Sequence, residues 1–359
     1  MTGISPRPGI LDIIPYVGGK AHVEGVSNTV KLSSNENPWG ASEQARQAFR
    51  ALSGNLHIYP ASDHGTLRTA IAETCGLDGN RIICSNGSDE LIAFLCHAYA
   101  GAGDDVLCTE HGFSMYGICA RACGATPVHA RETDRHTDVD ALLAAITPAT
   151  RLIFVANPNN PTGTLIEAAE LGRLAAGLPP ECLLVIDGAY AEFLDTYDDH
   201  IALIENHDNV FMIRTFSKIY GLGALRVGWG YGSAAVIDVL NRIRGPFNVN
   251  AAAQAAAEAA LRDTRFVEKC RTRNAELRRF LTDGLRRLGL ACDTSYGNFV
   301  LARFADEAEA DGANEALGLA GLIVRQVKGY GFPEGLRITV GKGADCGRVL
   351  AVLREFLGK

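Results

Sequence analysis

Several things this chain lacks narrow what it can be. No run of 18 apolar residues occurs in its 359 residues, so no helical membrane span is expected, since one needs about 20. Basic charge is in deficit: 34 Lys and Arg against 41 Asp and Glu leave a formal net charge of −7. A general nucleic-acid surface would need clustered Lys and Arg, so none is expected, although a local basic pocket for a small anion stays open. The opening MTGISPRPGILDIIPYVGG has Pro and Gly where a secretory signal needs an unbroken apolar core. The expectation is a soluble, cytoplasmic protein. Ten cysteines are present, but no second Cys or His pair follows any of them at zinc spacing. They read as small core hydrophobes in a reducing compartment, with no metal site. Cys119 and Cys123, four residues apart, suit one face of a helix. Lysine is the scarcest charge, at positions 20, 31, 218, 269, 328, 342 and 359 only.

What is present is an alternation of short apolar, β-branched runs with amphipathic stretches, which implies an α/β fold around a mainly parallel sheet. Strands are predicted over Arg81–Ser85, Asp105–Thr109, Thr126–His129, Leu152–Ala156, Leu183–Asp187, Val210–Arg214 and Arg226–Gly230. Helices are predicted over Asp89–Ala100, Val139–Ile146 and Glu167–Ala176. From about residue 249 the character changes. Asn250–Leu261 is nearly all Ala, Phe266–Leu288 is a long Arg-rich helical pattern, and short strands follow over Phe299–Phe304, Leu322–Val324 and Leu336–Val340. The length fits two domains. The expected division is an N-terminal segment 1–40, a large domain 41–248 and a smaller α+β domain 249–359.

Some motifs only resemble chemistry. Gly221-Leu-Gly223 lacks the third Gly of a dinucleotide fingerprint, and Gly341-Lys342 lacks the Ser or Thr of a P-loop. Gly112-Phe-Ser114-Met-Tyr116 lacks the closing Gly of a nucleophile elbow. Four other segments fall at the carboxyl ends of predicted strands, where open α/β sheets bind ligands. Ser85-Asn-Gly87-Ser88-Asp89-Glu90 joins a strand to a helix; it reads equally as an anion site or as an ordinary helix cap. Asn157-Pro-Asn-Asn160-Pro-Thr-Gly163 is a stiff loop presenting the Asn160 amide. Asp187 ends an apolar strand and needs a partner, whether a cationic ring nitrogen or a structural arginine, with Tyr190 three residues on. Thr215-Phe-Ser217-Lys218 ends another strand. Lys218 alone among the seven lysines follows an apolar strand beside two hydroxyl residues, and such an amine can have its pKa lowered and form a Schiff base.

Taken together, NPNNPTG, Asp187-Gly-Ala-Tyr190 and Ser217-Lys218 with Arg226 eight residues later resemble the fold-type-I aminotransferases, which use pyridoxal 5'-phosphate. Leu32-Ser-Ser-Asn35-Glu-Asn-Pro38, Ile58-Tyr59-Pro60 and Leu336-Arg337-Ile-Thr-Val-Gly341 narrow the resemblance to the histidinol-phosphate aminotransferase branch, in family order from about Pro15 to Gly341. Two departures are visible. Gly188 stands where the family usually has Glu, which unsettles local packing. Phe113 stands where many relatives carry Tyr, and an aromatic face suffices for stacking.

The resemblance implies a seven-stranded, mainly parallel sheet sandwiched by helices, a smaller domain, and a homodimer. It makes Lys218 tether and general base, and Asp187 the partner of the cofactor's ring nitrogen. Asn160 and Tyr190 would hold the ring oxygen, and Phe113 would stack on the ring. Gly87, Ser88, Asp89, Thr215, Ser217 and Arg226, with Tyr59 from the second subunit, would hold the phosphate. Tyr16, Asn35, Arg325 and Arg337 would bind substrate, with Arg337 on a carboxylate and Arg325 on a phosphate. The implied reaction moves the amino group of L-histidinol phosphate to 2-oxoglutarate. An aromatic amino-acid aminotransferase and a decarboxylase of the threonine-phosphate type remain alternatives.

Overall fold

The computed structural model describes residues 3–194 and 201–359. Seven strands form one sheet: β1 Ile82–Ser85, β2 Asp105–Thr109, β3 Thr126–Ala130, β4 Thr150–Ala156, β5 Leu183–Asp187, β6 Val210–Thr215 and β7 Gly228–Tyr231. Their spatial order is β1-β7-β6-β5-β4-β2-β3. The pairs among β3, β2, β4, β5 and β6 are parallel, and β7 runs antiparallel to both neighbours. These are the seven strands expected from the apolar runs. Strands β5 and β6 are buried along their whole length, because helices cover both faces of the sheet.

Side chains alternate between two cores, as the period of a strand requires. Leu184, Ile186, Ile153 and Val155 enter one cluster; Leu183, Val185, Leu152 and Phe154 enter the other. The second cluster also takes the apolar face of helix α1, Ser88–Tyr99, and of helix α2, Met115–Cys123. Cys119 and Cys123 do share a buried face of α2. Nine of the ten cysteines are buried and Cys75 is half-buried. Two helices that the sequence pattern leaves unassigned, Glu43–Ala51 and Gly65–Cys75, contribute Ala45, Leu67, Ala70 and Ile71 to the first cluster.

The Ala-rich segment forms helix α3, Ala251–Arg262, followed by α4, Thr264–Arg287. Composition suggests a division before α3, but the packing changes elsewhere. Ala253, Ala256, Ala257 and Ala260 of α3 fill the large sheet's core, as do Val267 and Cys270 of α4. Leu281 and Leu285 of the same helix pack instead with Val300, Leu336 and Val349. The change of core therefore falls within α4. The second core sits on a four-stranded antiparallel sheet of order β8-β9-β11-β10, made of β8 Ala291–Cys292, β9 Phe299–Arg303, β10 Arg325–Val327 and β11 Phe332–Thr339. The strand expected at Leu322–Val324 pairs outside that sheet: Leu322–Ile323 runs parallel to Val30–Lys31. That pairing and the buried Leu32 join the N-terminal segment to the smaller core. Among the described residues, no helix is long and apolar enough to cross a membrane.

Candidate active site

The carboxyl ends of β1, β2, β4, β5 and β6 open into one cavity of about 210 Å3 between the two sheets. Polar groups enter it mainly just past the ends of β1, β4, β5 and β6, where the apolar runs stop, while the segment after β2 brings Phe113, Met115 and Tyr116. At the end of β5 stands Asp187, only 5 % exposed. Its Oδ2 accepts from the Tyr116 hydroxyl at 2.8 Å and its Oδ1 from the Ala189 N–H at 3.1 Å. Burial pushes its pKa up to about 6 despite both donors. A buried carboxylate with no cation beside it is costly, so this end of the cavity suits a positively charged ring N–H.

Lys218 lies beyond the end of β6, in the same cavity. Its Nζ donates to the Ser34 carbonyl at 3.2 Å and sits 5.7 Å from the centre of the Tyr190 ring. Burial, reinforced by the Arg337 charge, lowers its pKa to about 8. That brings a useful fraction of free amine within reach at neutral pH, as a nucleophile or base requires. Tyr190 is buried and accepts from the Asn35 amide at 2.9 Å. Asn35, held in the left-handed region at φ 57, is itself fixed by Thr339.

The anion end is built from the turn after β1 and the loop before β7. Gly87, at φ 81, begins α1, and a Cβ there would lie 2.4 Å from an Arg226 nitrogen. A Cβ on Gly228 would lie 2.7 Å from the Ser88 nitrogen. Both glycines let backbone and guanidinium close around the free N–H groups of the helix start, where an anion is favoured. Arg226 adopts φ 52 and donates to the Ser217 hydroxyl at 3.2 Å and to the Asp89 carboxylate at 3.1 Å.

The opposite wall carries Arg337 from β11, only 6 % exposed. One terminal nitrogen bonds the Asn160 carbonyl oxygen and the other the Ser33 carbonyl at 2.7 Å. Its Nε is buried with no partner among the described residues. Its guanidinium lies 5.4 Å from the Phe299 ring.

Of the residues expected from the sequence, Tyr16, Asn35, Ser88, Asp89, Phe113, Asn160, Asp187, Tyr190, Thr215, Ser217, Lys218, Arg226 and Arg337 all line this cavity. Three do not line it. Gly87 lies behind it, against the Arg226 guanidinium. Tyr59 is 77 % exposed and stacks on Phe247 at 4.6 Å. Arg325 lines an adjoining cavity of about 490 Å3, with its guanidinium 5.9 Å from the Tyr16 ring. Tyr116 is the residue that the motifs missed. It sits on a helix and stacks on Phe154 at 4.7 Å, and only the folded structure brings its hydroxyl to Asp187.

The chain is similar to proteins of known kind. A curated histidinol-phosphate aminotransferase from a Ruegeria species is 58% identical over 99% of this chain and 98% of its own length. One from Dinoroseobacter shibae is 57% identical over 99% of both. The crystal structure of histidinol-phosphate aminotransferase from Sinorhizobium meliloti, in complex with pyridoxal 5'-phosphate, superposes with a TM-score of 0.92 at 26% identity, covering 99% of each chain. Thermus thermophilus aspartate aminotransferase shares the fold, with a TM-score of 0.80 at 22% identity. The family described as aminotransferase class I and II matches residues 27–353, and with its buried lysine, buried carboxylate and anion end in one cavity, this chain belongs to that family.

Proposed function

We propose that this chain is a pyridoxal-phosphate-dependent enzyme that moves the amino group of L-histidinol phosphate to 2-oxoglutarate, giving imidazole acetol phosphate and glutamate in histidine biosynthesis. The carrying observation is the full-length identity to curated histidinol-phosphate aminotransferases. The cavity's donor set agrees with it. Its buried carboxylate calls for a cation, its helix start and Arg226 call for an anion, and a buried amine lies in the same cavity. Pyridoxal phosphate, bound in the Sinorhizobium meliloti enzyme, supplies a carbonyl carbon that captures amines and a conjugated ring that accepts the electron pair of a broken C–H bond.

The chain's own residues do the rest. Asp187 keeps a ring nitrogen protonated, because an adjacent carboxylate favours the cation. The Ser88 and Asp89 N–H groups, the Ser217 hydroxyl and Arg226 hold the phosphate. Asn160 and Tyr190 hold the ring oxygen, and Asn35 fixes Tyr190. Phe113 covers the ring face. Lys218 is the covalent tether, and once displaced by substrate it carries the proton between the substrate α-carbon and the cofactor. Arg337 takes a carboxylate on its free edge, and Arg325 takes the donor's phosphate. We further propose a homodimer. Its support is the exposed apolar stretch of Leu56, Ile58 and Tyr59, which are 82, 57 and 77 % exposed, since contiguous exposed apolar surface marks association sites.

The test is a panel of amino donors against 2-oxoglutarate, with keto-acid formation and CO2 release both measured. The expected result is the highest kcat/KM for histidinol phosphate, with no CO2. A higher value for tyrosine or phenylalanine would replace this reading with an aromatic aminotransferase, and CO2 release would replace it with a decarboxylase.

A further inference from the structure

The adjoining cavity that holds Arg325 also holds a second arginine, Arg121, from the last turn of α2. A cation there is at home beside the helix carboxyl end, but this side chain turns back along the helix. Its Nη1 would stand 3.5 Å from a Cβ built on Gly117, one turn earlier. That is ordinary van der Waals distance, so the guanidinium lies along the helix surface beside Gly117.

Arg121 is half-buried, yet among the described residues it makes no side-chain hydrogen bond and no ion pair. Other half-buried arginines in this chain do otherwise: Arg81 pairs with Glu205 and Arg135 with Asp293. Arg325 is also largely unspent, with one donor on the Val17 carbonyl at 2.7 Å. Asp12 and Glu110 border the cavity too. Neither pairs with either arginine, and the Glu110 carboxylate accepts from the Glu132 N–H at 2.9 Å. Two guanidinium groups with free donors thus share one cavity. Tyr16 and Phe113 belong to the walls of both this cavity and the one containing Lys218. A ligand reacting at Lys218 can therefore reach it with a charged group carried away from the reacting carbon.

We propose that Arg121 is a second phosphate-binding arginine, which with Arg325 grips the dianionic phosphate at the far end of the amino donor. This rests on the proposed reaction. A dianion is better matched by two guanidinium forks than by one, whereas phenylalanine offers these forks nothing.

The experiment compares the cofactor-loaded wild type with Arg121→Gln and Arg121→Lys. In Arg121→Gln the KM for histidinol phosphate should rise about ten- to hundredfold, the loss of one charge-assisted bond. Its kcat should change less than about threefold, as for an interaction made equally in ground and transition states. The KM for phenylalanine should stay within the same narrow range, and Arg121→Lys should recover part of the loss. Thermal unfolding of both variants checks that they are folded. Calorimetric binding of glycerol 3-phosphate to the loaded proteins gives a readout free of turnover, and it should weaken in Arg121→Gln by a similar factor. Equal glycerol 3-phosphate binding by wild type and Arg121→Gln, or parallel losses for both amino donors, would overturn the role of Arg121. A wild type that binds glycerol 3-phosphate through Arg121 but does not turn over histidinol phosphate would instead overturn the proposed reaction.

Discussion

Replacing Tyr116 with Phe tests how the carboxylate at the heart of the site is tuned. The ring can keep its stacking on Phe154, so what is removed is the hydroxyl that donates to Asp187 at 2.8 Å. A hydrogen bond to a charged group contributes about 1.5–3 kcal/mol, which at about 1.4 kcal/mol per pKa unit corresponds to a rise of about one to two units. The Asp187 pKa in the free protein, already raised to about 6 by burial, should therefore move to about 7–8. The sign follows from the raised value. Below its pKa the carboxyl is neutral and cannot pair with a ring cation, so cofactor affinity falls as pH drops through that value. The assay is a titration of the cofactor-free protein with pyridoxal phosphate from about pH 5 to pH 9, bracketing both values. Wild type should begin to lose affinity near pH 6, and Tyr116→Phe one to two units higher. Lys218, lowered to about 8, titrates in both proteins, so it largely cancels in the comparison. Coincident curves would refute the reasoning, because the Tyr116 bond would then not be stabilising the ionised form.

Borohydride reduction of the loaded protein should fix the label on Lys218, and Lys218→Ala should retain cofactor non-covalently while losing about 10²–10⁴-fold in turnover from proton transfer alone; labelling at any other lysine would remove Lys218 from its role. Sedimentation should show a dimer at assay concentrations, and Tyr59→Phe should weaken cofactor retention about tenfold, the worth of one hydrogen bond, without lowering the unfolding temperature; an active monomer would contradict the shared site.

The sheet was legible because its central strands are covered on both faces and so read as unbroken apolar runs, such as Leu183–Ile186. The ends of those runs, where polarity returns abruptly, are also where the cavity's groups stand; Asp187 and Lys218 could be picked out for that reason. What composition could not show is partnership. Ala251–Arg262 looks like the start of a new unit, yet its alanines let α3 pack closely against the helices Glu43–Ala51 and Gly65–Cys75 of the larger core. Tyr116 and Arg121 lie on an ordinary amphipathic helix, and their sequence context gives no hint of the carboxylate that one meets or the cavity that the other lines. Arg325 and Tyr59 lie outside the main cavity because one belongs to its neighbour and the other to the exposed surface.

The way Arg337 is held has a further consequence. Its two terminal nitrogens are occupied by Asn160 from the large sheet's loop and Ser33 from the N-terminal segment, while the residue itself rides on the small sheet. A long side chain normally surrenders about 0.5–1.5 kcal/mol of rotamer freedom when a ligand immobilises it. Here that freedom is already surrendered on folding, so an anion bound there would meet a fork already in place. Three separate stretches of chain must come into register before that pose exists. The proposed carboxylate site would thus be a product of assembly, and a lysine, a point charge without the planar fork, would not present the same two-pronged edge.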